Sequence, residues 1–259
     1  MTPAPDETLD SIGTSGVKLL QRRSGYRFTL DAVLLAAFAA TEGQDAGGPL
    51  LELGAGSGVV SFLLACQFGL GPVDALELQP EVHARLVRAV ALNACEGRVR
   101  PLLGDLREAR SLFAPGAYAH VVSNPPFRPV NAGVRSPDEE RALSKQELAC
   151  DAPSVVAAAR HALAPGGRVS LVYPAARLAE VLALLVAARL HPVALRLVHA
   201  RVEAPATRFL VHARVDSPAL RFLVQAVRDR ERGLRVRPPL ILHGEGPEGY
   251  GPELSALLE

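Results

Sequence analysis

Short apolar runs alternate with longer amphipathic segments along most of the chain. The short runs predict buried strands, and apolar residues recurring every three or four positions predict the helices between them. The predicted strands span residues 50–53, 73–78, 99–103, 120–123 and 167–173. The predicted helices span residues 29–40, 57–68, 80–94, 106–112, 151–163 and 175–189. Strands and helices in this alternation form right-handed crossovers, so we expect an α/β fold with a parallel sheet covered by helices on both faces.

The end of the sheet follows a different pattern. Two further apolar runs, at residues 193–201 and 208–215, are separated by a turn containing Pro205 rather than by a helix. Their direct connection predicts an antiparallel pair. The sheet is therefore expected to have seven strands, of which the last is antiparallel.

The whole chain, residues 1–259, is expected to form a single domain. Alternating apolar and polar residues at 16–28 predict a hairpin or an ordered lid segment, whereas residues 1–10 are expected to be frayed. We divide the domain into an N-terminal lid and helix segment (1–48), a core (49–216) and a C-terminal extension (217–259).

Composition narrows the class of protein. Hydrophobic residues make up 49% of the chain, enough for a sizeable core, and the net charge of +1 gives no sign of a general polyanion binder. Cys66, Cys95 and Cys150 fit neither a disulfide framework nor a zinc site, and no motif supplies metal ligands. The N-terminus is acidic and polar, and the longest apolar run, residues 32–40, is too short to cross a bilayer. We therefore expect a cytoplasmic protein without metal or membrane contact.

A glycine-rich loop, residues 54–58, joins the first strand of the core to the helix that follows it. Glycines permit a tight turn and let a ligand approach the main chain. Glu77 ends the second strand, Asp105 follows the third and Asn124 follows the fourth. Because ligands bind at the carboxyl ends of parallel strands, Glu77 is placed to bind ribose hydroxyls and Asp105 to accept from an adenine amino group.

Two other interpretations of these residues remain open. Glu77 and Asp105 could be acids that stabilise the N-termini of helices. A nicotinamide-dependent dehydrogenase would also use the loop and Glu77, although residues 54–58 lack the third glycine of the dinucleotide pattern at its usual spacing. The glycine-rich loop and three polar side chains, at four successive strand ends, favour a ligand site over a set of helix-terminal acids.

The fourth strand ends in an unusual sequence, Asn124-Pro125-Pro126-Phe127. The prolines cannot donate backbone hydrogen bonds and hold the chain extended, so the strand stops there. The Asn124 amide oxygen and the Pro125 carbonyl can accept the two N–H groups of a planar amine, while Phe127 stacks on the ring that carries it. The alternative is a proline-rich turn with a phenylalanine in the core.

These motifs resemble the class I S-adenosylmethionine-dependent methyltransferases that modify exocyclic amino groups. Over roughly residues 9–250 the chain is similar to the bacterial tRNA1(Val) adenine-37 N6-methyltransferases, and residues 25–35 match their segment ahead of the glycine-rich loop. The resemblance implies a Rossmann-like class I methyltransferase fold, S-adenosyl-L-methionine as cofactor, tRNA as partner and N6-methylation of adenine 37. The catalytic residues it implies are Asn124, Pro125, Pro126 and Phe127. The cofactor-binding residues it implies are Gln21, Arg27, Thr29, Asp31, Glu52, Gly54, Gly56, Gly58, Glu77, Leu78, Asp105, Leu106 and Asn124.

The chain departs from the family's usual sequence at one point, so acceptors other than adenine remain as alternatives. The family usually has Tyr after the two prolines, whereas this chain has Phe127 followed by Arg128. Guanine-N2 methyltransferases of RNA share this type of motif but usually carry a second methyltransferase-like domain, for which the chain has no room. Glutamine N5-methyltransferases of release factors share it too, and they usually carry an N-terminal helical domain. A cofactor-binding RNA-associated module without catalysis is the last alternative, and the intact Asn124 favours an enzyme over it.

Positive charge is concentrated in the C-terminal third. Eleven arginines but only four acids lie between Arg189 and Arg237. Such a stretch can hold RNA phosphates, and we expect Arg235 and Arg237 to contribute. The alternative is a solvated surface in a protein that uses arginine in preference to lysine.

Overall fold

The computed structural model describes residues 2–13, 15–24, 27–43, 47–125, 151–201, 219–243 and 250–258. The strands are β1 (Glu7–Ser11), β2 (Lys18–Arg22), β3 (Leu50–Leu53), β4 (Val73–Glu77), β5 (Val99–Leu103), β6 (Tyr118–Ser123), β7 (Leu163–Pro174), β8 (Leu190–Arg201), β9 (Arg221–Arg228), β10 (Arg235–Val236) and β11 (Leu240–His243). The α-helices are α1 (Leu30–Gly43), α2 (Val59–Phe62), α3 (Pro80–Leu92), α4 (Ala109–Leu112), α5 (Ala152–Ala162), α6 (Leu178–Ala187) and α7 (Pro252–Leu258). A π-helical turn, Leu63–Gln67, continues α2, and short 3-10 turns, Leu106–Glu108 and Ala175–Arg177, precede α4 and α6.

Within these ranges, nine strands form one mostly parallel sheet. Their order is β5-β4-β3-β6-β7-β9-β8-β10, and β11 also pairs with β8. Strands β5, β4, β3, β6 and β7 run parallel to one another, whereas β9 is antiparallel to both β7 and β8. The expected α/β fold with a mostly parallel sheet and an antiparallel strand near its end is confirmed. The described sheet has nine strands rather than the expected seven, because the short strands β10 and β11 extend it at one side.

Helices cover both faces of the sheet, as expected. Helices α1, α2, α3 and α7 share one apolar layer, in which Leu34 and Phe62 are buried. Helices α4, α5 and α6 share the layer on the other face, which contains Val155. Successive strand residues point to opposite faces, so Leu50 belongs to the first layer and Leu51 to the second. The described helices are all too short or too polar to span a lipid bilayer.

The antiparallel strand comes from a later part of the sequence than we expected. The strand predicted at residues 208–215 lies outside the described residues, and the observed neighbour of β7 and β8 is β9. The middle six residues of β9 are all buried, because β9 lies between two strands rather than at the edge of the sheet. The sheet therefore continues past residue 216 into the segment that we assigned to the C-terminal extension, and the division of the domain stays a prediction.

The N-terminal hairpin packs against α3. One of its strands, β2, falls in the segment predicted to form a hairpin, but β1 falls in residues that were expected to be frayed, so that expectation is wrong. Arg88 of α3 forms an ion pair of 2.8 Å with the buried Glu7. Asn93 accepts from the Lys18 N–H at 2.8 Å and donates to the Lys18 carbonyl at 2.7 Å. These long-range contacts order the N-terminus, and its polar composition alone does not reveal them.

Cys66 and Cys95 face each other between the turn that continues α2 and the end of α3. Their sulfur atoms are in contact, and their Cα atoms are 7.4 Å apart. Since most disulfides join Cα atoms about 4.4–6.8 Å apart, bond formation here would require the backbone to move. Cys95 is buried, whereas Cys66 is partly exposed.

Candidate cofactor and substrate site

The carboxyl ends of β6, β3, β4 and β5 lie side by side at one edge of the sheet. Leu53 at the end of β3 lies between Ser123 of β6 and Leu76 of β4, and Glu77 of β4 lies opposite Leu103 of β5. The glycine-rich loop therefore begins at the same edge of the sheet as the polar residues predicted for the site. Ligands bind at this edge in open α/β sheets.

A side-chain hydrogen bond joins the two central strand ends. Ser123 is fully buried and donates from its Oγ to the carbonyl oxygen of Leu53 at 2.8 Å. The bond links the residue before Asn124 to the residue before Gly54. The sequence Asn124-Pro125-Pro126-Phe127, called the amide motif below, and the glycine-rich loop therefore start side by side. We did not assign Ser123 to the site from the sequence, although a hydroxyl at the end of an apolar strand is a recognisable signal.

The glycines of the loop serve two different purposes. Gly54, Gly56 and Gly58 all adopt positive φ angles, of 74°, 56° and 84°. A Cβ atom at Gly54 or Gly56 would meet no heavy atom of the described chain within 4 Å, so the backbone there is open to a ligand. A Cβ atom at Gly58 would lie 2.4 Å from Leu86 Cδ1 of α3 and 2.8 Å from Phe62 of α2. Gly58 therefore permits close packing of helices.

Glu77 is bonded to the glycine-rich loop. Its Oε2 accepts from the Gly56 N–H at 2.8 Å, and its Oε1 accepts from the Gln79 N–H at 2.9 Å. These bonds fix the orientation of the carboxylate at the end of β4. The structure thus brings the predicted acid and the predicted loop into direct contact.

Glu52 is buried beneath the start of α2, with 2% of its surface exposed. Its Oε2 accepts from the Ser61 N–H at 2.9 Å and from the Ser61 hydroxyl. Burial, together with the nearby charge of Glu77, raises the pKa of Glu52 to about 8, although the bonds from Ser61 oppose the shift. The observed contact of Glu52 is with the helix rather than with the open side of the loop, and its predicted cofactor contact stays a prediction.

Asp105 lies at the expected edge and is bonded to Arg107. Its Oδ1 accepts from the Arg107 N–H at 2.9 Å, and its two oxygens accept from the Arg107 guanidinium, with 2.8 Å between Oδ2 and Nε. The side-chain bonds from Arg107 hold the pKa of Asp105 below its usual value. The neighbouring Leu106 is buried, and Leu78, after the end of β4, is half-buried.

The start of α1 reaches the same edge of the sheet through an ion pair. Asp31 accepts from Nε of Arg221 at 3.0 Å, and Arg221 is the first residue of β9, opposite Pro174 at the end of β7. Thr29, exposed at the start of the helix, accepts from the Ala32 N–H through its carbonyl at 3.1 Å. Thr29 and Asp31 therefore lie at the edge where the other predicted residues meet.

The segment ahead of α1 is connected to the N-terminal hairpin by hydrogen bonds of Gln21 and Arg27. Gln21 is buried, donates to Asp10 Oδ2 and accepts from the Phe28 N–H, both at 2.8 Å. Arg27 donates to Asp10 Oδ1 at 2.7 Å and to the Thr8 hydroxyl at 3.0 Å. In this structure both residues position the segment ahead of α1, a role that depends on Asp10, which the sequence pattern did not reveal.

The amide motif is described as far as Pro125. Asn124 is half-buried directly after β6, and Pro125 is buried. The predicted residues Pro126 and Phe127 lie outside the described residues, as does the polar loop predicted to follow them. The described part of the motif thus stands next to the glycine-rich loop.

Comparison with known proteins places these features in a family. No protein-family model matches the chain. A tRNA1(Val) (adenine(37)-N6)-methyltransferase of Porphyromonas gingivalis is 30% identical over 183 residues, which cover 68% of this chain and 67% of the relative. The chain belongs to this methyltransferase family. A second member, from Aeromonas hydrophila, is 28% identical over 188 residues, covering 73% of this chain and 76% of that protein.

Solved structures show the methyltransferase fold. A predicted O-methyltransferase from Agrobacterium tumefaciens superposes with a TM-score of 0.66 and 23% identity, covering 88% of this chain and 95% of that chain. At this identity the likeness concerns the fold alone. It agrees with the α/β architecture of this chain.

The described part of this methyltransferase contains no group of three or more His, Cys, Asp or Glu side chains placed to hold a metal ion. The buried His120 hydrogen-bonds through Nε2 to Ser170 Oγ at 2.9 Å. Burial lowers the pKa of His120 to about 3, so its imidazole is neutral at physiological pH. Its partners lie within the sheet, which indicates a structural role.

Proposed function

We propose that this methyltransferase transfers a methyl group from S-adenosyl-L-methionine to N6 of an adenine in tRNA, namely adenine 37 of tRNA1(Val). One observation carries the proposal. Leu53 and Ser123 lie opposite each other in the sheet and are joined by the Ser123 hydroxyl, so Asn124 and Gly54 emerge together. A group that selects an amine thus stands beside a loop suited to the cofactor. The names of the relatives supply the nucleotide and the RNA.

The donor and acceptor set at this edge fits the cofactor. Open backbone at Gly54 and Gly56 leaves room for close approach of a ligand. The Glu77 carboxylate, held beside Gly56, is suited to ribose hydroxyls, as acids at the end of the second strand are in related sheets. Asp105 is suited to the adenine amino group, with Arg107 sharing its oxygens. S-adenosyl-L-methionine, when bound, supplies an activated methyl group on a sulfonium, so the chain's own task is mainly to position the acceptor.

Asn124 and Pro125 would orient the acceptor nitrogen. The amide oxygen of Asn124 and the carbonyl of Pro125 can each accept one N–H of the exocyclic amine. Accepting these hydrogens out of the ring plane makes the nitrogen more tetrahedral and directs its lone pair. Phe127 is assigned to stacking on the base, worth about 1–3 kcal/mol, and Pro126 to keeping the motif extended.

A base held in this way must leave its stack in the RNA. Enzymes that act on a base bind it extruded or in a single strand, because the reacting atom is not accessible within a stacked helix. We therefore propose that tRNA is the partner and that the target base enters the edge next to the glycine-rich loop. Protein glutamine is the alternative acceptor, since its side-chain amide also carries two N–H groups for Asn124 and Pro125.

The test is methyl transfer from labelled S-adenosyl-L-methionine to a tRNA1(Val) transcript with adenine 37, compared with a transcript that has guanine 37. Labelling of the first transcript alone, with N6-methyladenosine found by nucleoside mass spectrometry, is the expected result. N2-methylguanosine would identify a guanine enzyme, and labelling only of a release factor would identify a glutamine enzyme. The variant Asn124→Ala is the matched control, and equal labelling by this variant would contradict the assigned site.

A further inference from the structure

A cavity lies at the opposite edge of the sheet from the proposed active site. It has a volume of about 380 Å³ and is lined by the starts of β6 and β7, the end of β9 and the residues that follow β9. Ala119 near the start of β6 lies in its wall, whereas Asn124 follows the other end of the same strand. The cavity is therefore separate from the cofactor cleft.

Three arginines line this cavity: Arg168, Arg230 and Arg232. No acidic side chain is among the described residues of its lining. Arg168 is held in place by donation to the Glu42 carbonyl. Arg230 and Arg232 are exposed, and neither forms an ion pair with an acid of the described chain. The cavity thus concentrates positive charge in a concave site.

Two acids near this edge, Glu42 and Asp229, already pair with other arginines. The Glu42 carboxylate pairs with Arg235 at 3.0 Å and with Arg237 at 2.5 Å. Asp229, directly before Arg230, pairs with Arg160, Arg189 and Arg228 at 3.1–3.3 Å. The charges of Arg230 and Arg232 are therefore left for a ligand.

Main chain forms the floor of the cavity. Gly166 has a φ of 76°, and a Cβ atom there would lie 3.5 Å from Cζ and Nε of Arg230, so the guanidinium rests against the glycine. A Cβ atom at Gly167 would lie 2.9 Å from the Ala164 carbonyl and 3.0 Å from the Ala119 carbonyl, so a side chain has no room there. Packing against Gly166 limits the conformations of the Arg230 side chain, which favours it as a preorganised donor.

We propose that this cavity binds a phosphate group, with Arg230 and Arg232 as its principal donors. Guanidinium groups match the geometry of phosphate oxygens and stay charged at all physiological pH values. The phosphate comes either from the backbone of the bound RNA, away from the methylated base, or from a small free phosphate compound. The first source rests on the proposed tRNA function, whereas the second does not.

The experiment compares Arg230→Gln/Arg232→Gln with the wild type and with Arg98→Gln/Arg110→Gln. The control removes the same charge from exposed arginines outside the cavity. Inorganic phosphate is titrated into each protein by calorimetry, and tRNA binding is measured over a range of salt concentrations. Thermal melting establishes that each protein is folded.

A loss of phosphate affinity of about tenfold or more in the cavity variant, but not in the control, supports the proposal. A fall of about 1–2 in the slope of log K against log[salt] for tRNA supports it too and identifies RNA as the source. Lost phosphate affinity with an unchanged tRNA slope identifies a small phosphate compound. Unchanged behaviour of the cavity variant in both measurements overturns the proposal. The calorimetric measurement is independent of methyl transfer, so failure of the tRNA assignment would be seen separately.

Discussion

The backbone N–H of Gly56 donates to Oε2 of Glu77 at 2.8 Å. The two residues are 21 positions apart and belong to the loop after β3 and the end of β4. One carboxylate therefore shapes the glycine-rich loop and also stands where the ribose of the cofactor is proposed to bind. Changing Glu77 should affect both.

Glu77→Gln is expected to weaken S-adenosyl-L-methionine binding about 10- to 100-fold. The substitution removes the negative charge and leaves only one oxygen for the bonds that Glu77 now accepts from Gly56 and Gln79. Losing a charged hydrogen-bond partner costs about 1.5–3 kcal/mol. Calorimetric titration of the cofactor measures the change. Glu81→Gln, at an exposed acid in the first turn of α3, is the control and should keep wild-type affinity. Equal affinities for both variants would remove Glu77 from the site.

Asn124→Ala is expected to lower the single-turnover rate of methyl transfer about 100- to 1,000-fold, as does removal of one preorganised hydrogen-bonding group in other enzymes. Cofactor affinity should change little, because the amide is assigned to the acceptor amine. The loss should persist at saturating tRNA, since it concerns the chemical step rather than binding. Rapid-quench measurement of labelled tRNA tests this, and a near-normal rate would mean that the motif is only a proline turn.

Ser123→Ala is expected to slow methyl transfer only by changing the position of Asn124. The variant leaves the buried Leu53 carbonyl without the hydroxyl at 2.8 Å and should lower the free energy of unfolding by about 1–3 kcal/mol. Because Asn124 itself stays intact, the rate at saturating substrate should fall less than in Asn124→Ala. Ser123→Thr keeps a hydroxyl and should restore part of both quantities. A stability loss with an unchanged rate would limit Ser123 to folding.

Glu52 should make the protein less stable as the pH rises. Its pKa of about 8 in the folded state lies above the ordinary value of 4.5, so the folded protein retains a proton that the unfolded chain releases. Stability therefore falls as the pH rises from about 4.5 and levels off above about 8. The buried His120, with a pKa of about 3, acts in the opposite sense, since stability falls as the pH drops below its unfolded value of 6.5.

The range from pH 6.5 to 8 isolates the effect of Glu52 from that of His120. Over this range the wild type should lose on the order of 2 kcal/mol of stability, and Glu52→Gln should lose much less. Urea denaturation at several pH values measures both proteins. Parallel pH profiles for the two proteins would show that the Glu52 carboxyl is ionised in the folded state.

Arg235→Gln/Arg237→Gln is expected to destabilise the fold. Both arginines pair with Glu42, whose side chain is only 3% exposed, and removing the partners of a buried charge costs about 3–5 kcal/mol. Adding Glu42→Gln to the double variant removes the stranded charge and should restore part of the stability. Denaturant unfolding of the three proteins checks this. A double variant as stable as the wild type would assign these arginines to another role, such as the RNA contact expected from the sequence.

The alternation of strands and helices was predictable because buried parallel strands are almost uniformly apolar. Strand β9 was not predicted, because arginines flank it and Gln225 interrupts its apolar run. Gln225 is nevertheless buried, and its Nε2 donates to Ser170 Oγ on β7 at 3.2 Å. A partner on another strand cannot be seen in a local pattern.

The same limit applies to the candidate site. The placement of Glu77 and Asn124 at one edge of the sheet was predictable, since topology alone brings strand ends together there. Ser61, which binds Glu52, and Asp10, which binds Gln21, were not predicted. Their roles depend on distances across the fold rather than on spacing along the chain.

The position of β9 between β7 and β8 determines the order in which the sheet can be completed during synthesis. When β8 leaves the ribosome, the position between β7 and β8 must stay vacant, because β9, the strand that fills it, is still to be translated. Residues 221–228 close this gap, and β10 and β11 pair with β8 only afterwards. A nascent chain that ends before residue 221 thus presents the unpaired edges of β7 and β8, a state prone to aggregation.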